Sequence, residues 1–336
     1  MKGHNINALN ILLEVYDVRS RVGVLVSPGS VKIEEYDIPK PRDGEVLIRV
    51  RATGICSGDI YAFKGLPVWF TLPAPFGHEP VGDVVEVGPN VTNIKPGDRV
   101  MAIGSPAYAD YLVAKASSVA KIPSNIPYEY AIGEPLAAIV NVVRVTQPRI
   151  GDYVAVVGSG YMGLLLIQAL KGMGFSELVA FDIIDDRLKL AKEFGATAVV
   201  NPNVDNVDEV VKELTEGNGF NIVFEVSGSP SGVDLATRII GRRGRLSIVS
   251  YHSLPIQVNF RIWDAKGIDL VMAVPARSGE EYATTDLRIA AKLLERGVFH
   301  QEKLITHKWK LNELQEALEY ASKKPKEYIK GVIIPE

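Results

Sequence analysis

Side chains that could bind a metal cluster in the segment from residue 53 to residue 82. Cys56, the only cysteine of the chain, is followed by Asp59, and His78 and Glu79 are adjacent near the end of the segment. A thiolate, an imidazole and a carboxylate are ligand types that bind zinc, and three such ligands leave a fourth position open for water or a substrate. A buried structural cysteine and a hydrogen-bonded core histidine are an equally simple interpretation. The segment by itself therefore suggests a metal site and leaves the alternative open.

A glycine-rich motif, GSGYMG at residues 158–163, lies farther along the chain. An apolar strand-like stretch precedes it, an apolar helix-like stretch follows it, and an aspartate ends the next strand-like stretch. In this context the first glycine permits a tight turn, the second lets the backbone approach a pyrophosphate, and the third lets the helix pack closely on the strand. The pattern predicts a dinucleotide site with the contact residues Gly158, Gly160, Tyr161, Met162, Gly163, Asp182 and Arg187.

Charged residues near this motif bear on which dinucleotide binds. Asp182 can accept hydrogen bonds from ribose hydroxyls and would repel a 2′-phosphate, which favours NAD over NADP. Arg187 could cover the adenosine, although Asp186 beside it could equally make it a surface charge. His252 follows the strand-like stretch that ends at Ser250, so it could reach the cofactor from the carboxyl edge of a sheet. A metal site and an NAD site in one chain suggest redox chemistry between an alcohol and a carbonyl.

Size, charge and cysteine content limit the classes of protein to which this chain can belong. Its 336 residues suffice for two domains with separate cores. The formal net charge of −3 argues against a nucleic acid or an acidic membrane as partner. One cysteine cannot form an internal disulfide, which fits a reducing, cytoplasmic location. No apolar run approaches the ~20 residues of a membrane span, and residues 1–20, which carry Glu14 and Asp17, lack the features of a signal peptide.

The pattern of predicted elements changes near Glu134. Before it, short β segments separated by Pro-Gly and Asp-Gly turns predict a compact antiparallel barrel. After it, strands alternate with helices, which predicts a doubly wound parallel sheet of the α/β class with right-handed crossovers. A last strand, YIKGVIIP, is expected to return to the first domain. We predict a catalytic domain made of residues 21–138 and 281–336, a Rossmann domain at 139–280, and an N-terminal extension at 1–20.

Taken in order, the motifs of the chain resemble those of the medium-chain dehydrogenase/reductase family, the zinc-containing alcohol dehydrogenases. The resemblance covers nearly the whole chain from about Arg21, and the ordered set is far more specific than any one motif. The motifs are GICSGD at 54–59, GHEPVGDVVEVG at 77–88, KPGDRV at 95–100, GEPLA at 133–137, VVGSGYMG at 156–163 and LVAFD at 178–182. The resemblance implies a GroES-like antiparallel barrel as the catalytic domain, joined to a Rossmann domain that binds NAD.

The resemblance also implies a set of ligands for one catalytic zinc ion. Cys56 and His78 are the expected ligands, with Glu79 as the third. Glu134 in GEPLA resembles the acid that binds the metal or its water in sorbitol and other polyol dehydrogenases. The alternative for Glu134 is an acid stabilised by the dipole at a helix N-terminus. Because the cysteine-rich lobe of the family is missing between residues 100 and 111, no structural zinc is expected.

The segment that begins at Cys56 departs from the family pattern in its proton-relay positions. Asp59 matches the acid that holds the tautomer of the histidine ligand. Gly58, however, replaces the serine or threonine whose hydroxyl normally begins the relay, and Tyr61 stands where a histidine often follows. Tyr61, Ser57 or a water molecule held near Glu134 could carry the proton instead.

The function implied by the resemblance is hydride transfer between NAD and a secondary alcohol, as in the enzymes that act on polyols, sugars or cyclitols. Two alternatives remain open: a zinc-free, NADPH-dependent reductase of quinones or enones on the same fold, and a non-enzymatic dinucleotide-binding protein that retains the fold. The family suggests a homodimer or a homotetramer. Proximity to the motifs makes Trp69, Phe70, Asn141 and Arg144 candidate contacts of a small-molecule substrate.

Overall fold

The computed structural model describes residues 18–273 and 281–336, so most of the predicted N-terminal extension lies outside the described residues. The strands are β1 (Arg19–Ser27), β2 (Ser30–Asp37), β3 (Glu45–Gly54), β4 (Ala74–Pro75), β5 (Pro80–Val87), β6 (Arg99–Ala102), β7 (Tyr111–Lys115), β8 (Val119–Lys121), β9 (Tyr153–Val157), β10 (Glu177–Phe181), β11 (Ala198–Val200), β12 (Phe220–Glu225), β13 (Ile240–Ile248), β14 (Asp269–Met272), β15 (Ile305–Lys310) and β16 (Lys330–Ile334). The α-helices are α1 (Ser57–Phe63), α2 (Glu134–Thr146), α3 (Tyr161–Leu170), α4 (Asp185–Phe194), α5 (Val207–Leu214), α6 (Pro230–Ile239), α7 (Phe260–Lys266), α8 (Leu287–Glu295) and α9 (Leu314–Lys323).

The first and last parts of the chain build largely antiparallel sheets. A seven-stranded sheet has the order β15-β16-β3-β5-β6-β8, with β7 paired to β3, and a three-stranded sheet has the order β2-β1-β4. Val332 of β16 lies opposite Gly54 of β3, so the end of the chain returns to the first domain as predicted. Val46, Ile48 and Val50 alternate along β3 and pack with apolar residues of β5 to β8 in one buried cluster.

The middle of the chain forms a six-stranded parallel sheet in the order β11-β10-β9-β12-β13-β14. Residues 154–157 of β9 are almost wholly buried, as expected for a central strand with helices on both faces. The strand order reverses beside β9, and such a switch point opens a crevice at the carboxyl ends of the strands. The topology confirms the predicted α/β fold class with its Rossmann and GroES-like parts, while the residue limits of the domains stay a prediction.

The antiparallel sheet brings the two halves of the predicted metal site to the same edge. Thr53, near the end of β3, lies opposite Pro80 at the start of β5. Cys56 comes just after β3, and His78 and Glu79 come just before β5. Two adjacent antiparallel strands therefore position side chains that are far apart in the sequence.

Candidate active site

Three of the predicted metal ligands meet at this edge of the sheet. One ligand atom from each of Cys56, His78 and Glu79 lies within 4.8 Å of the others. Cys56 is the N-cap of α1, where its Sγ accepts a hydrogen bond from the Gly58 backbone N–H at 3.4 Å. As residues, Cys56 and His78 are partly exposed, whereas Glu79 is buried. The set is therefore open on one side, as a catalytic zinc site requires.

Asp59 lies beside His78, in the place predicted for it. Its carboxylate is fully buried, and Oδ2 accepts hydrogen bonds from the Cys56 backbone N–H at 3.0 Å and from the Tyr108 hydroxyl at 2.6 Å. The other oxygen, Oδ1, is buried without a hydrogen-bond partner and lies 3.8 Å from His78 Nδ1. A carboxylate in that position orients a histidine that binds a metal through its other ring nitrogen. This orphaned oxygen indicates that the donor set fits zinc.

The pocket concentrates acidic groups in an apolar environment. Burial raises the pKa of the Cys56 thiol, of Asp59 and of Glu134. Burial opposes the charged form of His78, but Cys56 and Asp59 outweigh it and raise the pKa of His78 well above its ordinary value. The protonated forms of these groups are therefore more favoured here than in water. A divalent cation would compete with protons for the ligand atoms and relieve the repulsion between the acids, as happens when a metal binds a site of this composition.

Glu79 has a cationic partner within the protein. Lys330, the first residue of β16, donates from Nζ to Glu79 Oε2 at 2.6 Å, and both side chains are buried. The same ammonium lies 4.8 Å from the centre of the Tyr161 ring. Oε2 of Glu79 is thus paired with a buried lysine, and a carboxylate has a second oxygen with which it can bind a metal. Sequence reasoning missed Lys330 because no local motif marks it and the pair is 251 residues apart in the chain.

Glu134 lies outside the set of ligand atoms that come within 4.8 Å of one another. It is the first residue of α2, and its carboxylate accepts a hydrogen bond from the Tyr282 hydroxyl. Tyr282 begins a π-helical turn, Tyr282–Asp286, that leads into α8. Glu134 is close enough to His78 to contribute to the raised pKa of the imidazole. Its role as a metal ligand or as the residue that holds metal-bound water stays a prediction, and its place at a helix N-terminus also fits the alternative.

The Trp69 indole packs over Gly58. A Cβ placed on Gly58 would lie 2.3 Å from Cη2 and 2.6 Å from Cζ3 of the indole. Trp69 is 60% exposed, yet it packs edge-on against His78, with ring centres 5.6 Å apart, and against Tyr251 at 5.9 Å. A side chain at position 58 would therefore require the indole to move.

Tyr61 extends the same aromatic wall toward the parallel sheet. Its ring centre lies 6.0 Å from that of Tyr251. Its hydroxyl would lie 3.7 Å from a Cβ built on Gly228, which belongs to the loop after β12. Burial raises the pKa of Tyr61, and Cys56 and Glu225 act in the same direction. The phenol therefore stays protonated at neutral pH and can donate a hydrogen bond across the cleft.

Two of the predicted substrate contacts hold α2 in place. Asn141 Nδ2 donates to Asp286 Oδ2 at 3.2 Å, and the Arg144 guanidinium donates to the other oxygen of the same buried carboxylate. These bonds tie α2 to the turn that precedes α8. Phe70, also a predicted contact, packs edge-on against Trp69 with ring centres 5.8 Å apart. Of these four residues, Trp69 is the one that the structure brings against a predicted metal ligand, His78.

The glycine motif forms the turn between β9 and α3. Gly158 adopts a φ of +102°, and a Cβ there would lie 2.7 Å from the Ser227 backbone nitrogen. A Cβ on Gly163 would lie 1.9 Å from the Gly158 carbonyl oxygen, so no side chain fits between helix and turn. A Cβ on Gly160 would meet no heavy atom within 4 Å apart from its chain neighbours. Each glycine thus has the surroundings expected of its role, and the α3 N-terminus is free to face a pyrophosphate.

Asp182 is fixed beside this turn. Its Oδ2 accepts a hydrogen bond from the Ser159 backbone N–H at 2.7 Å, and its Oδ1 accepts one from the Ile184 backbone N–H at 2.9 Å. Two backbone bonds use only part of the acceptor capacity of a carboxylate, which has about four lone-pair sites. The ribose hydroxyls of a dinucleotide could therefore still bind to it.

Arg187 points toward the end of the chain. Its Nη2 donates to the Tyr328 carbonyl oxygen at 3.0 Å. Asp186, which could have made Arg187 a surface charge, pairs with Lys189 at 2.7 Å instead. The predicted contact with adenosine stays a prediction.

Tyr161 and Met162 differ from the other predicted nucleotide contacts because their side chains point into the protein. Tyr161 is buried, and its hydroxyl donates to the Gln301 side chain. Met162 is partly buried against the largest apolar cluster. What these two residues can offer a nucleotide is therefore mainly their backbone at the α3 N-terminus.

Comparison with known proteins agrees with this geometry. Residues 42–124 match the family described as "Alcohol dehydrogenase GroES-like domain", and residues 162–290 match "Zinc-binding dehydrogenase". L-threonine 3-dehydrogenase of Pyrococcus horikoshii is 30% identical over 328 residues, which cover 87% of this chain and 92% of that protein. Sorbitol dehydrogenase 1 of Saccharomyces cerevisiae is 30% identical over an alignment of 350 positions, gaps included, that covers 92% of this chain and 96% of that protein.

A solved structure shows the same arrangement of both parts of the fold. The crystal structure of 2R,3R-butanediol dehydrogenase from Bacillus subtilis matches with a TM-score of 0.81 at 27% identity, covering 94% of this chain and 100% of that one. The family matches fall on the antiparallel part and on the parallel part of the chain, and the relatives extend over nearly its whole length. The chain therefore belongs to the zinc-type alcohol dehydrogenases of the medium-chain dehydrogenase/reductase family.

Proposed function

We propose that this chain is a zinc-dependent dehydrogenase that oxidises a secondary alcohol of the polyol, sugar or cyclitol class with NAD. One observation carries the proposal: Cys56, His78 and Glu79 converge within 4.8 Å, and the buried Asp59 carboxylate stands 3.8 Å from the imidazole. The named relatives act on threonine, sorbitol and butanediol, going by their names, and each of these compounds carries a secondary alcohol. That shared group supports the substrate class.

Each part of the site has a distinct task in this proposal. When bound, zinc supplies Lewis-acid activation of the alcohol, and NAD supplies the acceptor of the hydride. Asp59 orients the imidazole of His78, and Lys330 compensates the charge of Glu79. Trp69 and Tyr251 form an aromatic wall beside His78. Tyr61 offers a hydroxyl through which the alcohol proton can leave.

The preference for NAD depends on Asp182. Its carboxylate is fixed beside the glycine turn, where it would repel a 2′-phosphate. Wild-type protein should therefore reduce NAD with a higher kcat/KM than NADP, and Asp182→Ser should move the ratio toward NADP. A strong preference of the unaltered protein for NADP would overturn this part of the proposal.

The proposal also includes assembly into a homodimer or homotetramer in the cytoplasm. Among the described residues β14 is an edge strand of the parallel sheet, and its Leu270 and Met272 are exposed, as are Leu254 and Phe260 in the segment that precedes it in the chain. Exposed apolar residues on an edge strand are typical of a surface that another chain covers. The single cysteine supports a reducing compartment. Among the described helices, none has the length and apolar character needed to cross a bilayer.

The central experiment combines metal analysis with a substrate screen. Elemental analysis should find one zinc ion per chain, and chelation should abolish reduction of NAD in a way that added zinc restores. The screen should cover polyols, sugars, cyclitols and simple alcohols. Two zinc ions per chain, or full activity after complete removal of metal, would contradict the proposal.

A further inference from the structure

A cluster of hydrogen-bonding side chains lies at the carboxyl ends of β12 and β13. Glu225, the last residue of β12, is fully buried. Its Oε2 accepts a hydrogen bond from the Ser250 hydroxyl and lies 3.3 Å from His252 Nε2. Ser250 Oγ is itself 2.9 Å from the same ring nitrogen. The imidazole is 18% exposed, so the cluster connects a carboxylate that is sealed from water with the solvent.

The other oxygen of Glu225 fixes the loop that faces Tyr61. Oε1 accepts hydrogen bonds from the Ser227 backbone N–H at 2.9 Å, from the Ser227 hydroxyl at 2.6 Å and from the Gly228 backbone N–H at 3.1 Å. A Cβ built on Gly228 would lie 3.7 Å from the Tyr61 hydroxyl and 3.6 Å from Ser250 Cβ. Tyr61 and Ser250 therefore border the same space beside Gly228, where a water molecule could bridge the two hydroxyls.

The loop that carries Ser250 and His252 is held against the antiparallel part of the protein. Tyr251 lies between these two residues, and its hydroxyl donates to the Pro67 carbonyl oxygen at 3.2 Å. Its ring also meets the rings of Tyr61 and Trp69. The cluster is thus fixed near the catalytic side of the cleft rather than left on a free loop.

The usual first group of a proton path on the antiparallel side is missing. Gly58 has no hydroxyl, and the Trp69 indole lies where a side chain at that position would begin. The hydroxyl of Tyr61 instead borders the loop after β12, on the same side as Ser250. Hydrogen-bonding groups that lead to solvent therefore lie on the parallel-sheet side of the cleft.

We propose that Tyr61 passes the proton of the alcohol to the cluster of Glu225, Ser250 and His252. This inference rests on the proposed function. The alcohol O–H proton moves to the Tyr61 oxygen as the phenol gives its own proton to Ser250 Oγ. Ser250 gives its proton to the Glu225–His252 pair, and the imidazole releases one proton to water. Both hydroxyls end as they began, and the net change is one proton delivered to solvent.

Charged groups surround both ends of the path. Lys324 Nζ lies 5.8 Å from the centre of the Tyr61 ring, while burial, Cys56 and Glu225 raise the pKa of the phenol. His252 Nε2 lies 3.3 Å from Oε2 of the same Glu225 carboxylate. Glu225 therefore acts on both ends of the path and links them.

The test uses zinc-loaded protein with His252→Gln and Ser250→Ala, and His300→Gln as control. Gln keeps a hydrogen-bonding group near Glu225 but cannot take up and release a proton, and His300 is an exposed histidine in a separate part of the chain. With whichever of sorbitol, 2,3-butanediol or threonine the wild type oxidises fastest, His252→Gln should lower kcat by ~10- to 100-fold, at or below the lower limit of the ~10²–10⁴-fold range for acid–base steps. Zinc content, NAD affinity and Tm should match the wild type, and added imidazole should restore most of the loss in His252→Ala. His300→Gln should behave as the wild type.

A second measurement needs no turnover. The ¹⁵N chemical shifts of the His252 imidazole report its hydrogen-bond partners, of which Ser250 Oγ is one at 2.9 Å. Ser250→Ala and Tyr61→Phe should both change these shifts, and His300→Gln should not. Unchanged kcat in both His252→Gln and Ser250→Ala, or imidazole shifts that do not respond to Ser250→Ala and Tyr61→Phe, would overturn the inference, as would a loss of kcat in His252→Ala that imidazole does not restore. A wild type that holds no zinc or reduces no NAD would instead count against the proposed function.

Discussion

The pocket of Cys56, His78 and Glu79 and the glycine turn at residues 158–163 both suit charged groups, but they do so by different means. In the pocket, side chains from distant segments compensate one another, as the buried pair of Glu79 and Lys330 does. In the turn, backbone N–H groups are the hydrogen-bond donors. Gly158 and Gly163 have no side chains, and a Cβ at either position would clash with neighbouring backbone atoms. The pocket is therefore sensitive to the removal of one charged partner, whereas the turn is sensitive to the addition of a single carbon atom.

The largest effect should come from removing the thiolate. Cys56→Ser should lose zinc, because a neutral hydroxyl replaces the one soft, anionic ligand of the set. Lewis-acid activation is worth several kcal/mol, and at ~1.4 kcal/mol per factor of ten this corresponds to a loss of kcat/KM on the order of 10³-fold. Metal analysis and steady-state kinetics check the result.

Ser57→Ala is a matched control for this change, since Ser57 is exposed and adjacent to Cys56 but outside the ligand set. It should retain zinc. Affinity for NAD should survive in Cys56→Ser, because the glycine turn lies in the other sheet. A Cys56→Ser protein with a full complement of zinc would show that Cys56 is not a ligand.

Removing the cation next to Glu79 tests the compensation of charge directly. Lys330→Met leaves a buried carboxylate without its partner, and breaking a buried ion pair in this way costs ~3–5 kcal/mol. Bound zinc would supply a replacement positive charge if Glu79 is a ligand. The loss of unfolding free energy in denaturant should therefore be larger in metal-free protein than in zinc-loaded protein.

The double variant Glu79→Gln with Lys330→Met separates charge from packing. It removes both partners, so it should recover part of the stability that Lys330→Met loses. Equal losses with and without zinc would indicate that Glu79 serves Lys330 alone, and the third metal ligand would then have to be sought elsewhere.

How much of the site could be predicted differs between the two regions for a physical reason. The turn residues are contiguous, so the pattern of glycines with Asp182 predicted their surroundings almost completely. In the pocket, the residue types of Cys56 and His78 indicated a metal site, but the sequence did not identify the residues that contact the site.

The partners that the sequence did not reveal are Tyr108, Lys330 and Tyr282, which lie 49, 251 and 148 residues from the groups they contact. Each is a common residue type, and only the fold brings it to the pocket. Tertiary contacts of this kind leave no short-range pattern, whereas a turn that needs positive φ or close backbone approach does.

Adding one carbon to the turn should have a moderate effect. Gly163→Ala puts a Cβ 1.9 Å from the Gly158 carbonyl oxygen, so turn and helix must separate. Overpacking of this kind costs ~1–3 kcal/mol, and NAD affinity should fall while zinc content is unchanged.

Gly160→Ala is the matched variant, since its Cβ meets no neighbour within 4 Å. It should keep the unfolding free energy of the wild type and lose affinity for NAD, because the added carbon occupies the approach of the pyrophosphate. Full NAD affinity in both variants would show that the nucleotide does not approach this turn.

The smallest effect concerns Gly58. This residue lies beside the pocket of Cys56, His78 and Glu79, but, like the glycines of the turn, it is sensitive to added atoms. A side chain at position 58 meets the indole of Trp69 at 2.3 Å, so adding atoms, not removing charge, should be what disturbs the site here. Gly58→Ser alone should therefore not provide a working relay hydroxyl, because Trp69 must move and its contact with His78 is lost.

In Trp69→Ala the space is open, and adding Gly58→Ser to that background should raise kcat by a few-fold relative to Trp69→Ala alone. Contacting residues commonly couple by ~0.5–3 kcal/mol, so the double-mutant cycle should show a clear departure from additivity. Gly58→Ala in both backgrounds separates the clash from the hydroxyl, since it adds the Cβ without a proton carrier. Strict additivity across the cycle would mean that Trp69 and position 58 act independently, and the glycine would then need another explanation.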